Sequence, residues 1–218
     1  MIEKKFVEAK KQELEVKEFI KNIFGKGKIS EVKIERTPIG EKIVITTTRK
    51  GVVLGQLGES MQTIMNNLKK KFGLENPQIE IQEIDAEFDP QTIADRIALA
   101  LERFGPLAFK LIAYRELEKL AKAGALGAEI RLSGKLPSER AKSWLFKFGY
   151  LKKTGETRYI VKSARAVAET KPGVVGIKVA LVPKGTKIPD KIEIKQELKK
   201  IREKIEELKK EENGDNKK

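Results

Sequence analysis

The stretch from Arg49 to Phe72, RKGVVLGQLGESMQTIMNNLKKKF, constrains the fold more than any other part of the chain. Its pivot is a four-residue step between two glycines, Gly55-Gln56-Leu57-Gly58. A short apolar run, Val52-Val53-Leu54, leads in, and an amphipathic helix ending in Lys69-Lys70-Lys71 leads out. Met61, Ile64, Met65, Leu68 and Phe72 fall at helical spacing and mark one buried face. Glycine adopts backbone angles that a Cβ forbids, so two at this spacing let amides turn toward an incoming phosphate. The helix start adds unpaired N–H groups and the positive end of its dipole. A chain with 17 glycines also makes this pattern by chance, and a plain helix–helix turn would explain it. The flanking elements have to decide.

Composition narrows the choices. At 218 residues the chain has room for two ordinary domains. No apolar run approaches the ~20 residues of a membrane span. The N-terminus, MIEKKFVEAKKQELEVKEF, is too charged for a signal peptide, so a cytoplasmic location and no membrane partner are expected. There is no Cys and no His, which removes disulfide frameworks, thiolate zinc sites and the commonest general base. No catalytic residue, metal or cofactor is therefore expected. The 46 Lys+Arg against 32 Asp+Glu give a net +14, unevenly placed. Between Ala86 and Pro189 stand 20 basic and 10 acidic residues, and Arg131 to Lys187 alone holds 14 and 3. A merely solubilising surface would mix the two signs; a concentrated excess is the footprint of a nucleic-acid binder.

In chain order, Ile2 to Phe24 predicts a helix, with Phe6, Ala9, Phe19, Ile20, Ile23 and Phe24 at spacings of three and four. Ile29 to Thr37 and Glu41 to Thr48 alternate as strands around a Pro38-Ile39-Gly40 turn, a hairpin. After the glycine step and its helix, Gln78 to Ile84 alternates again. The order helix, strand, strand, short helix, glycine loop, helix, strand resembles the type II KH domain. That family clamps about four nucleotides of a single strand on its glycine loop. KH loops that grip RNA often carry a basic residue in the middle, whereas this one has Gln56 and Leu57. Contact would rest on backbone amides at Gly55 to Gly58, flanked by Arg49, Lys50 and Lys69 to Lys71. Leu57 is equally suited to packing against protein.

Asp89 reads as an N-cap with Pro90 at the first helical position. Ile93, Ile97, Leu99, Ala100 and Leu101 stud that helix, and Phe104-Gly105-Pro106 breaks it. A second helix is predicted from Leu107 to Ala123, with Leu111, Ile112, Leu117 and Leu120 on its apolar side. Four strands follow: Ala128 to Ser133, Trp144 to Leu151, Tyr159 to Ala168, and a last one carrying Val175, Ile177, Val179 and Leu181. The expected fold class is α+β in two domains. These are a KH domain over residues 1–85 and a two-helix, four-stranded domain over 86–189. Residues 190–218 read as a charged helical tail with a narrow seam of Leu198, Ile201, Ile205 and Leu208 and a disordered end.

The second domain carries its own signature: Gly124-Ala125-Leu126-Gly127, then AEIRLSGKLPSERAKSW, then Gly173-Val174-Val175-Gly176-Ile177-Lys178-Val179. Behind a type II KH domain, these strings resemble the universal small-subunit ribosomal protein three, in its archaeal and eukaryotic branch. The resemblance runs from Ile2 to about Pro183. It implies a structural constituent of the small-subunit head that binds rRNA through both domains and lines the path by which mRNA enters. Partners would be small-subunit rRNA, mRNA and neighbouring head proteins. On matching positions the RNA-binding residues are Lys135, Arg140 and Lys142, with Lys147 nearby. Where the family usually has two adjacent basic residues at a helix start, this chain reads Lys110-Leu111, so only Lys110 carries over.

Charge alone supports the same string. Lys135, Arg140, Lys142 and Lys147 fall within thirteen residues that hold one acid, Glu139. Any single lysine among them is as often a solvated side chain. Trp144, the only Trp, reads as a core anchor rather than a base-stacking platform. Three rivals remain at the level of sequence. A free-standing KH regulator of mRNA would use the same glycine loop without needing the second domain's basic string. A nuclease would need clustered carboxylates in a segment poor in acids. An adaptor would act through its tail helix.

Overall fold

The structure, a computed structural model, describes residues 2–37, 40–55, 59–74, 76–186 and 188. The chain divides into two compact units, Met1–Thr186 and Lys187–Lys218, and every element below belongs to the first. The tail helix expected from Asp190 and the Pro38-Ile39 pair lie outside the described residues.

The N-terminal part is a helix, α1 (Ile2–Phe24), followed by an antiparallel pair, β1 (Ile29–Thr37) and β2 (Gly40–Thr47). Two helices, α2 (Lys50–Leu54) and α3 (Glu59–Phe72), lead to β3 (Gln78–Glu83), which pairs parallel to β2. Parallel neighbours require a crossover, and the helices around the glycine step supply it. Val16, Ile20, Phe24, Val32, Ile43, Ile45, Val53, Ile64 and Leu68 form one core, to which each buried Ile or Leu contributes roughly 1.5–3 kcal/mol. The buried face of α1 is narrower than its periodicity predicts. Its buried residues, Val16, Ile20 and Phe24, all lie in the C-terminal half, so Phe6 is 68% exposed; Ile23, within that half but off the buried stripe, is exposed as well.

The C-terminal part opens with α4 (Pro90–Phe104) and, after a 3₁₀ turn at Pro106–Ala108, α5 (Phe109–Ala123). The predicted second helix thus begins two residues late, because Pro106 opens a tighter turn. The strands β4 (Gly127–Gly134), β5 (Lys142–Gly149), β6 (Lys162–Thr170) and β7 (Gly173–Val182) form an antiparallel sheet in the order β5-β4-β7-β6. The stretch expected as one strand from Tyr159 is instead a helical turn, α6 (Thr157–Ile160), followed by β6. The Thr157 hydroxyl, donating to the Thr154 carbonyl, pins that turn.

Alternate residues of β4 and β7 (Ala128, Ile130, Leu132; Val175, Ile177, Val179, Leu181) face inward, where α4 covers β6 and β7 and α5 covers β4 and β5. Leu111 was expected on this buried side, yet Ile112 and Ala113 face the core and Leu111 is 61% exposed. Leu99 of α4 is likewise exposed. At about 100° per residue, a helix that buries Ile112 and Ala113 turns their N-terminal neighbour outward.

Polar ties join the two parts. Asp89 caps α4 by accepting from the Thr92 N–H at 2.8 Å, and its other oxygen accepts from the Ser30 hydroxyl of β1 at 2.7 Å. Asp95 accepts from the Gly27 N–H at 3.1 Å, where Gly27 sits at φ +82°, a conformation that favours glycine. Lys26 reaches Glu102 of α4 at 2.9 Å and donates to the Val167 carbonyl of β6 at 3.3 Å. Among the described residues no helix is long and apolar enough to cross a membrane.

Candidate nucleic-acid interface

The β4–β5 loop is built around one buried side chain. Leu136 is fully buried in the C-terminal core, while Lys135, Glu139, Arg140 and Lys142 around it are exposed. At Gly134 (φ +150°) an added Cβ would come within 2.9 Å of the Val174 carbonyl oxygen. Only glycine lets the loop leave the sheet so close to β7. The Lys135 stem then passes Gly173 at the start of β7, and the Ser138 hydroxyl donates to the Arg140 carbonyl at 3.1 Å. The loop is thus anchored inside and cationic outside.

Lys110, at the start of α5, joins this end of the sheet. Its ammonium lies 4.7 Å from the centre of the Trp144 ring, and the Trp144 and Phe109 rings are 5.5 Å apart. Trp144 is half-buried against the core, as its anchoring role requires. Its indole nitrogen is buried with no hydrogen-bond partner among the described residues. Lys142 precedes Trp144 by two residues on the same face of β5, about 7 Å along the strand. The structure therefore groups Lys110, Lys135, Arg140 and Lys142, and among the described residues none of the four is in an ion pair. Lys147 does not join them. It lies on the opposite face of β5, with Glu129 of β4 directly across.

The KH loop is divided. Gly55 sits at φ +69° and its N–H donates to the Gly51 carbonyl, ending α2, whereas Gln56, Leu57 and Gly58 lie outside the described residues. Arg49 precedes α2 in an extended conformation, its N–H donating to the Thr47 hydroxyl at 3.3 Å. Lys50 is in an ion pair with Glu83 at 3.6 Å. Lys69 and Lys70 do not flank the loop. They stand in the last turn of α3, about 15 Å along the helix from its start. The neighbouring Lys71 ammonium rests 4.6 Å from the centre of the Phe19 ring on α1.

Sequence reasoning passed over a set of cations on the outer face of the four-stranded sheet: Arg131, Arg165 and Lys178, with Arg158 beside them. The chain-wide excess of charge signalled them, but nothing local did.

A three-stranded sheet with a helix–glycine–helix crossover, followed by a helix-backed antiparallel sheet with a basic loop, defines an RNA-binding protein of the KH class. Residues 15–87 match the KH domain family, and residues 97–181 match the family described as Ribosomal protein S3, C-terminal domain. The chain is 36% identical over 199 residues to the small ribosomal subunit protein uS3 of Methanocaldococcus jannaschii, across 90% of this chain and 95% of that one. To the uS3 of Methanobrevibacter smithii it is 36% identical over 196 residues, 89% of this chain and 78% of that one. To the uS3 of Methanothermobacter thermautotrophicus it is 35% identical over 193 residues, 88% and 74% respectively. The chain belongs to the family of small ribosomal subunit protein uS3.

Proposed function

We propose that the chain is a structural constituent of the small-subunit head, binds small-subunit rRNA, and lines the path by which mRNA enters. The observation that carries this reading is the grouping of Lys110, Lys135, Arg140 and Lys142 at one end of the C-terminal sheet, free of ion pairs among the described residues. Each cation that neutralises a phosphate releases counterions, so binding falls with salt at a log–log slope of roughly −0.7 to −0.9 per contact. Lys110 serves alone at its helix start, since Leu111 beside it carries no charge. Arg49 and the Gly55 end of the KH loop form a second RNA contact, with Lys50 shared between RNA and Glu83. Lys69, Lys70 and Lys147 supply separate outlying charges. The role is structural rather than catalytic, the location cytoplasmic, and neighbouring head proteins complete the set of partners. A free-standing KH regulator is less favoured, because it leaves the whole C-terminal domain and its family match unused.

The test is sucrose-gradient sedimentation of extract from the native source before and after a high-salt wash, probed for this chain. Co-migration with the small subunit that survives the wash is expected. A position at the top of the gradient, or complete loss in salt, would overturn the ribosomal reading.

A further inference from the structure

The inner face of the four-stranded sheet is covered by α4 and α5, and the outer face carries a row of cations. Strand register places Leu145, Arg131, Lys178 and Arg165 side by side across β5, β4, β7 and β6. Side chains directly opposite in antiparallel strands have Cβ atoms about 5 Å apart, so the three cations fall within roughly 10 Å. Like charges so placed destabilise a sheet. None of the three is in an ion pair among the described residues, so no direct partner relieves the repulsion. The segment between β5 and β6 brings two more cations to the same place. Lys153 and Arg158 line, with the row, a hollow of about 290 Å³. The one acid in its lining, Glu129, is taken by Lys153. Beside Arg158 on α6, Tyr159 presents its ring to solvent, 90% exposed.

We propose that this outer face binds the phosphodiester backbone of RNA at a site separate from the β4–β5 loop. Three of the five cations are arginines, whose planar forks match phosphate oxygens two at a time. A line of cations suits a chain of phosphates better than it suits an isolated anion. Tyr159 offers a surface on which an unpaired base stacks, a sequence-tolerant contact. A phosphate on the row would also screen the Arg131–Lys178–Arg165 repulsion, so bound RNA stabilises the sheet that holds it.

The inference rests on the proposed rRNA-binding role, and the experiment separates the two. The full chain is titrated with a small-subunit rRNA transcript over a range of salt. It is compared with a face variant (Arg131→Gln with Lys178→Gln), a loop variant (Lys135→Glu, Arg140→Glu, Lys142→Glu), and the two combined. The face variant should reduce the log–log salt slope by about 1.4–1.8, the worth of two phosphate contacts, additively with the loop variant. Its RNA-free thermal midpoint should equal or exceed that of the parent. Arg158→Gln, remote from the strand ladder, should remove about half as much slope, which covers a face variant that folds poorly. An unchanged slope in both the face variant and Arg158→Gln overturns the site. If the loop variant also leaves the slope untouched, the C-terminal RNA contacts fall and the binding that remains belongs to the KH end; a parent chain that does not bind the transcript overturns the rRNA-binding role itself. Wild-type rRNA binding combined with failure to enter the small subunit would assign the face to a neighbouring protein and likewise overturn the proposal.

Discussion

Glu102 does more than a surface carboxylate usually does. It accepts from the Lys26 ammonium at 2.9 Å and from the Glu169 N–H at 3.1 Å. Burial opposes its ionisation, but these two donors outweigh burial and hold its carboxyl below the usual range. A depressed acid contributes stability that is present above its unfolded pKa and is lost as pH falls through the folded one. Glu102→Gln should therefore lower stability at pH 7 by roughly 1 kcal/mol, discounted for the half-exposed lysine. The deficit should close as pH drops below about 4, a comparison made by urea unfolding at both pH values. Asp95 runs the other way. Burial first, against the Gly27 N–H and the Gln91 amide, pushes its carboxyl up. Its contribution is fully present below the unfolded pKa and is lost as pH rises. The two acids oppose each other across the acid range, so the Gln variant is needed to isolate Glu102.

The β4–β5 hairpin shows how a loop can be fixed by a residue that never meets a ligand. Leu136→Ala should destabilise the chain by roughly 2–4 kcal/mol through the cavity it leaves. It should also weaken rRNA binding severalfold while the salt slope stays within one contact of the parent, since every cation remains. Thermal unfolding and salt titration of the same preparation test both parts. At this scale, legibility follows from how local the signal is. Alternation marked β4 and β7, and the Asp89-Pro90 pair marked the start of α4, because period and capping are written within a few residues. The buried side of α5 is not legible at Leu111, because an apolar side chain does not record which neighbour covers it. The row of Arg131, Lys178 and Arg165 was invisible, since only strand pairing joins residues so far apart in the chain. Sequence distance sets Lys147 beside Lys142, yet the two-residue period of a strand sends them to opposite faces.

Over residues 1–186 the two cores are joined by a buried and a half-buried hydrogen bond and an exposed ion pair rather than by a flexible linker. The intact chain should unfold that region in one calorimetric transition. Asp89→Ala strips α4 of its cap and leaves the Ser30 hydroxyl buried and unpaired, for about 2–3 kcal/mol in all. That variant should resolve into two transitions, one for each core; a single transition merely shifted down would mean that other contacts set the cooperativity. The strand order also has a consequence in time. β4 is complete at Gly134, yet β7, the partner along its other edge, begins only at Gly173. At roughly 5–20 residues per second, a chain under synthesis carries β4 with one ladder edge open for about 2–8 s. Throughout that interval Ala128, Ile130 and Leu132 of β4 have α5, already made, to cover them, while the bare edge invites a wrong strand. The newborn chain is thus most vulnerable to misassembly late in its own translation, in the domain whose family name is ribosomal.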